Sequence, residues 1–325
     1  MIISASYKTD IPTFYGEWFM NRLRAGYCKM VNPYNRTAYR VSLDRAEVDG
    51  IVFWTKNLGP FLRHLPEVRT RGFPFIVQYT INGYPRSLEY AVVDAARSVD
   101  HVRRVSDEYG RRVCIWRYDT VVVSTETPVD FHLRNFESLA AALQGAVDEV
   151  VISFVQLYRK TLRNMNWAAS EFGFSWRDPS EDEKRKLAAD LVAIAASRGM
   201  WLSVCSQRNF LVPGASDARC IDADRLGDVA GQRVRAELRG MRKECGCFAS
   251  RDIGEYDTCP HGCVYCYAVQ NRDLAQRRYR EHQPQSEFLF QPTGDVVEAA
   301  DKTQSGVTLP LFDQGWKQET SGDNE

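Results

Sequence analysis

The chain has no run approaching about 18 consecutive apolar residues, the length a membrane-crossing helix needs. Its opening residues, MIISASYKTD, lack a basic segment followed by an apolar one, so no export signal is read there. Net charge is also lacking, since 42 Lys and Arg balance 42 Asp and Glu. That removes any general attraction to nucleic acid and leaves only local basic patches. A cytoplasmic protein without a membrane partner is expected. Nine cysteines, an odd number with no export signal, argue against a disulfide framework and for reduced thiols that serve metal. With 325 residues, 44% of them hydrophobic and 12% aromatic, the chain can bury one large core, or a core plus a small module.

The most specific signal lies near the C-terminal end. Cys259, Cys263 and Cys266 stand in Thr258-Cys-Pro-His-Gly-Cys-Val-Tyr-Cys-Tyr-Ala268 at C-x3-C-x2-C spacing. Three thiolates hold three corners of a [4Fe-4S] cluster and leave one iron open to an outside ligand, which for this spacing is usually S-adenosylmethionine. A zinc site or a plain electron-transfer cluster is the alternative, although zinc prefers paired C-x2-C knuckles. His261, inside the triplet, is expected to shape the loop.

Short apolar or β-branched runs alternate with amphipathic segments before that point. Strands are expected at Ile2–Ser6, Gly50–Thr55, Phe73–Thr80, Val113–Tyr118, Glu149–Leu157 and Met200–Cys205. Helices are expected near Phe14–Ala25, Pro60–Arg69, Leu88–Tyr109, Val129–Gln144 and Ser180–Arg198, the last opening on a Ser180-x-x-Glu183 capping box. This alternation predicts an α/β fold with a parallel sheet of about six strands, either a partial (β/α) barrel or a doubly wound open sheet. The expected organisation is a barrel over 1–205, a Cys-rich iron–sulfur module over 206–282 and a largely disordered tail over 283–325.

Each expected strand is followed by polar and aromatic residues: Lys8-Thr9-Asp10, Trp54-Thr55-Lys56-Asn57, Gln78-Tyr79-Thr80, Trp116-Arg117-Tyr118-Asp119 and Gln156-Leu157-Tyr158-Arg159-Lys160. In parallel β/α folds the C-terminal strand ends form the active-site face, so these segments are the expected lining of one pocket. The competing reading packs Trp54, Tyr79 and Trp116 under the helices. Asp10, Lys56, Arg117 and Asp119 are the candidates for contacts to substrate or to the carboxylate and ribose of S-adenosylmethionine.

Four further cysteines, Cys205, Cys220, Cys245 and Cys247, fall between the last strand and the triplet. They match the count a closed site needs and suggest a second centre, a second [4Fe-4S] cluster or zinc, against scattered buried thiols. Cys28 and Cys114 have no sequence neighbours of their kind and are expected in the core. Basic residues flank the triplet: Arg233, Arg235, Arg239, Arg242 and Lys243 before it, Arg272, Arg277, Arg278 and Arg280 after it. The later set falls on an expected helix and reads as a solvated face, with phosphate contact as the alternative.

The triplet segment resembles the signature of radical SAM enzymes, particularly the spore-photoproduct-lyase-like branch, including the aromatic Tyr265 before the last cysteine. The chain as a whole resembles an uncharacterised bacterial family that opens with Ser-Ala-Ser-x-x-Thr-Asp-Ile-Pro, here Ser4–Pro12, and places a radical-SAM-like cluster last. It departs from ordinary radical SAM enzymes because their triplet follows the first barrel strand, whereas about 250 residues precede this one. The resemblance implies a partial barrel, a cluster and S-adenosylmethionine held around Cys259, Cys263, Cys266 and Tyr265, a reductant such as flavodoxin or ferredoxin, and radical chemistry on a substrate. The rival readings are a non-catalytic, cluster-bearing DNA-associated protein and a zinc-stabilised binding module. In the polar tail, Thr308-Leu-Pro-Leu-Phe312 resembles the Gln-Leu-x-Leu-Phe peptides that dock on the bacterial DNA sliding clamp, with Thr308 in place of Gln. Leu309, Leu311 and Phe312 would be its anchors, and docking would make a nucleic acid the substrate.

Overall fold

Apolar residues occupy both faces of the central strands, as a sheet covered on both sides requires. In the computed structural model, which describes residues 1–32, 34–240, 244–292, 294, 297 and 298, these strands are β1 (Ile2–Ala5), β4 (Gly50–Thr55), β5 (Phe75–Thr80), β6 (Cys114–Val121), β8 (Glu149–Phe154) and β10 (Trp201–Val204). Between them come the antiparallel pair β2 (Tyr27–Val31) and β3 (Thr37–Ser42), and the short pair β7 (Val123–Ser124) and β9 (Trp176–Arg177). Two short strands, β11 (Ala215–Asp217) and β12 (Ser250–Asp252), complete an eight-stranded, all-parallel sheet of order β11-β10-β8-β6-β5-β4-β1-β12. The six expected strands stand side by side in chain order. A doubly wound sheet would reverse direction part-way, so this sheet is singly wound.

The pleat sorts side chains by parity. On one face Ile3, Phe53, Val77, Trp116, Ile152 and Val204 join the main core. That face is covered by α2 (Gly16–Ala25), α3 (Leu65–Thr70), α4 (Ala95–Tyr109), α5 (Val129–Leu143) and α7 (Glu181–Ser197), which contribute Trp18, Val68, Val102, Phe136 and Leu191. On the other face Ile2, Val52, Ile76, Ile115 and Val151 meet Leu226 of α8 (Ala223–Ala230) together with Cys220 and Cys247. A Cβ on Gly50 would stand 2.9 Å from Leu226, so glycine admits α8 to the sheet. Arg225 on α8 is 1% exposed and pairs with Asp148 at 2.9 Å and Glu149 at 2.7 Å.

The expected capping box is present, with Glu183 N–H donating to Ser180 Oγ at 3.3 Å and Ser180 N–H to Glu183 Oε2 at 2.9 Å. The first expected helix is two, a single turn α1 (Ile11–Phe14) capped by Asp10, and then α2. The expected helix from Leu88 begins only at Ala95, because residues before it bond the triplet loop instead: Val264 N–H donates to Leu88 O and Ala91 N–H to His261 O. Helix α6 (Arg159–Phe172) was not anticipated, whereas α9 (Arg272–Glu281) falls where the basic segment predicts a helix. Residues just past 283 lie along α2 and β2, where Trp18 Nε1 donates to Ser286 O and Leu289 is 3% exposed. The docking segment with Leu309, Leu311 and Phe312 lies outside the described residues, as do Arg242 and Lys243. Among the described residues, no helix is long and apolar enough to cross a membrane.

His132 on α5 is fully buried between Tyr118 Oη, 2.8 Å from Nδ1, and Val122 O, 2.9 Å from Nε2. The carbonyl only accepts, so Nε2 carries the proton and Nδ1 accepts from the phenol. Burial pushes its pKa down to about 4 from 6.5. The folded state thus resists a proton that the unfolded state takes up, so stability is complete above pH 6.5 and falls as pH drops towards 4. The total loss is about 3 kcal/mol. Urea unfolding across this range should show a shallower decline for His132→Gln than for the wild type; equal slopes would contradict the assignment.

Candidate functional site

One pleat beyond the second-face apolar residues, the same parity carries chemistry. Val52 is followed by Trp54 and Lys56, Ile76 by Gln78 and Thr80, Ile115 by Arg117 and Asp119, and Val151 by Ser153. These side chains therefore emerge on one face at the C-terminal strand ends. Gln78 is buried against Arg117 and Cys220 O, and the others meet a cavity of about 250 Å³, lined also by Lys8, Thr9, Asp10, Gln156 and Tyr158. All seven candidate cysteines, Cys205, Cys220, Cys245, Cys247, Cys259, Cys263 and Cys266, line this same cavity, with Tyr265 and His261. Tyr79 and Trp116 have the opposite parity and pack in the main core, as the competing reading holds for them, whereas Trp54 faces the cavity. Cys28 and Cys114 are fully buried core residues.

The triplet reaches the cavity by an unexpected route. Strand β12 pairs in parallel with β1, Asp252 opposite Ser4. The Asp252 carboxylate accepts from Ser4 Oγ and Ser6 Oγ, each at 2.8 Å, and from Tyr7 and Gly254 N–H, each at 3.0 Å. Gly254 is demanded by this approach, since a Cβ would lie 2.0 Å from Ser6 Oγ. Cys259 follows within seven positions of Asp252. The loop is then fixed on three sides. Tyr15 Oη donates to Thr258 O at 2.6 Å, and Asp257 N–H to Ala268 O at 3.1 Å. Val264 and Tyr265 pack with Leu88, Val155, Met165 and Ala168, the last two from α6.

Asp10 does not stand free for a ligand. Its Oδ1 accepts from Thr13 N–H at 2.9 Å, and its Oδ2 from Lys56 N–H at 2.7 Å and His261 Nε2 at 2.8 Å. Lys56 Nζ bonds Glu89 Oε1 at 2.7 Å and Tyr265 Oη at 3.0 Å, while Tyr265 donates to Glu89 and Asn82 Nδ2 reaches both. Burial disfavours the Lys56 ammonium, but Glu89 and the Cys263 thiol beside it outweigh that and hold its pKa above the usual value. Burial likewise opposes ionisation of Glu89, and Lys56 again prevails, so that carboxyl lies below its usual range. The two form a buried, charged pair 14% and 3% exposed at the side chains. Arg117 bonds Asp119, Gln78 Oε1 at 3.1 Å and Cys220 Sγ at 2.9 Å, with its guanidinium 5.1 Å from the Trp54 ring. Asp119 also accepts from Ser153 Oγ. Sequence reasoning missed Glu89, Asn82 and Asp252. Glu89 carried no signal, sitting in a segment expected to be helical.

The thiols differ in surroundings. Burial pushes Cys259 up to about 12, with Asp10 adding to it, while backbone N–H groups of His261 and Asp10 pull the other way. Cys266 Sγ accepts from Ala268 N–H at 3.3 Å. Amide donors aimed at sulfur favour the thiolate and are the kind of contact that tunes a bound cluster. Among the described residues, no three His, Cys, Asp or Glu side chains are gathered closely enough to ligate one metal ion. Thiolates at the corners of a cluster stand farther apart than ligands of a single ion.

The family model described as domain of unknown function (DUF1848) matches residues 2–268. The chain belongs to that family. The matched region ends two positions past Cys266 and so contains every candidate cysteine. No curated protein matches the chain.

Gly262, inside the triplet, has φ +74°, and a Cβ there would lie 2.8 Å from Arg272 Cδ and 3.0 Å from Tyr90 Cβ. Gly262→Ala should cost about 1–2 kcal/mol from the left-handed backbone alone. Gly246, between Cys245 and Cys247, has its nearest neighbour at 3.8 Å and no positive φ. Gly246→Ala should therefore stay within about 0.5 kcal/mol of wild type in urea unfolding. Equal costs for the two would refute the assigned loop geometry.

Proposed function

We propose that the chain is an iron–sulfur enzyme of radical SAM type, built on a partial (β/α) barrel. Its triplet, Cys259, Cys263 and Cys266, would hold a [4Fe-4S] cluster whose open iron takes S-adenosylmethionine. The observation that carries this reading is the position of β12. The triplet comes last in sequence, yet it leaves the strand that is first in space, next to β1 at the edge of the singly wound sheet. On this reading the departure from the family resemblance is one of chain order, since β12 brings the loop beside β1 at the C-terminal strand ends. The donor set fits: three partly exposed thiols face one cavity, and backbone N–H groups point at two of them.

When bound, the cluster supplies one electron, drawn from a reductant of the flavodoxin or ferredoxin class, that splits the sulfonium into methionine and a 5′-deoxyadenosyl radical able to take hydrogen from a substrate. The protein's own residues do the holding. Lys56, charged against Glu89, places a cation beside Cys263 and offsets part of the charge of three thiolates. Tyr265, bonded to that pair, is pinned so that the loop between Cys263 and Cys266 cannot swing. Asp10 keeps His261 and the end of β4 in register with the triplet, a positioning role. Asp119, Ser153, Gln156 and Tyr158 line the other side of the cavity, which we assign to the substrate.

The anaerobically reconstituted full chain, given dithionite and S-adenosylmethionine, should release 5′-deoxyadenosine. Replacing all three triplet cysteines by Ala should remove about four irons per chain and abolish that product. A wild-type protein that holds its full iron and forms no 5′-deoxyadenosine would overturn the proposal.

A further inference from the structure

Four of the six cysteines outside the triplet come from three separate segments and meet on the second face of the sheet. Cys205 directly follows β10, Cys220 lies past β11, and Cys245 and Cys247 sit on a strip held to that loop by Phe248 N–H on Ile221 O at 3.0 Å. Cys205 Sγ is 3.6 Å from Cys220 Sγ. Cys220 bonds Cys247 in turn, and Cys247 bonds Cys245, so the sulfurs form one continuous chain. Two donors are aimed at them: Arg117 Nη1 at Cys220 Sγ, 2.9 Å, and Ile221 N–H at Cys247 Sγ, 3.4 Å. A neutral thiol is a weak acceptor, whereas a metal-bound thiolate is a charged one. The Arg117 guanidinium already pairs with Asp119, and its further contact to sulfur is strengthened when that sulfur is a thiolate.

We propose that Cys205, Cys220, Cys245 and Cys247 form a second, four-thiolate metal centre in the cavity shared with the triplet, with Arg117 donating to its Cys220 sulfur. Four thiolates suit zinc or a [4Fe-4S] cluster alike. Thiolates 2.3 Å from one zinc ion lie roughly 3.8 Å apart, close to the Cys205–Cys220 separation, and a cubane spreads them more widely. Among the described residues no three of these side chains are close enough for one ion, so ligation requires side-chain rotation at the two ends of the chain of sulfurs. Cys205 and Cys245 are those ends, and both are only partly buried, whereas the central Cys220 and Cys247 are fully enclosed. With all four donors supplied by protein the site is closed, leaving exchangeable ligand positions to the triplet.

The test uses the full chain prepared and reconstituted anaerobically, with iron, zinc and acid-labile sulfide measured together. The variant with Cys259, Cys263 and Cys266 changed to Ala should keep a metal. Retention of about four irons with equal sulfide identifies a cluster, and about one zinc without sulfide identifies a mononuclear site. Either result supports the centre. Cys220→Ala with Cys247→Ala should lose that same complement and retain what the triplet binds, which separates this claim from the one made for the triplet. Should that double variant fail to fold, the triplet variant still decides, through X-ray absorption at its retained metal, where a sulfur-only shell is expected. The triplet variant binding no metal, or a Cys205–Cys220 disulfide in the anaerobic protein, would overturn the proposal.

Discussion

A single buried carboxylate ties together parts of the chain that are some 250 residues apart in sequence. Asp10 accepts from the start of α1, from the end of β4 and from His261 in the cysteine loop. Each acceptor position on a buried carboxylate has to be filled, since an unmet one costs about 1–3 kcal/mol. Filling both oxygens with local and distant donors makes the geometry of the loop a condition of the fold. Asp252 does the same on the neighbouring strand, closing β12 against β1 through two serine hydroxyls and two amides. Together the two aspartates dock the C-terminal module onto the first strand, and this places the triplet over the strand ends.

From that docking the rest of the site follows. Parity along each strand sends apolar side chains to the floor and polar ones to the rim, so Ile115, Arg117 and Asp119 climb one face of β6 in successive pleats. Helix α8 and Cys220 fill the floor beneath them. Three sets of buried charges are matched: Lys56 with Glu89, Arg117 with Asp119, and Arg225 with Asp148 and Glu149. Breaking such a pair by removing one partner costs about 3–5 kcal/mol, which rigidifies the cavity wall.

Much of this was legible in the residues. The six long strands announce themselves by length and by Val, Ile and aromatic content, and the polar residues that follow them mark the cavity rim correctly for Lys8–Asp10, Trp54–Lys56, Arg117 and Asp119. The two edge strands escaped notice for a physical reason. Ala215–Asp217 and Ser250–Asp252 are three residues each; the first exposes Ser216 and Asp217 at the edge, and the second spends Asp252 on hydrogen bonds to β1, so neither shows an apolar run. Helix α6 buries only Thr161, Met165 and Ala168, too sparse a stripe to stand out. The β2–β3 hairpin was readable from the alternation of Cys28 and Met30, but its strands were passed over. Glu89 is different in kind. A lone glutamate in an irregular segment becomes a buried partner of Lys56 only when the fold brings Tyr265 from far along the chain.

The proposed function requires an open iron held by the three triplet thiolates beside Lys56 and Tyr265. Electron paramagnetic resonance of the anaerobically reconstituted, dithionite-reduced full chain tests this most directly, recorded with and without S-adenosylmethionine. Ligand binding at the open iron should shift the g-values of the cluster signal, and the shift should vanish in the chain with Cys259, Cys263 and Cys266 changed to Ala. A reduced cluster signal that S-adenosylmethionine leaves unaltered at saturating concentration would contradict the account.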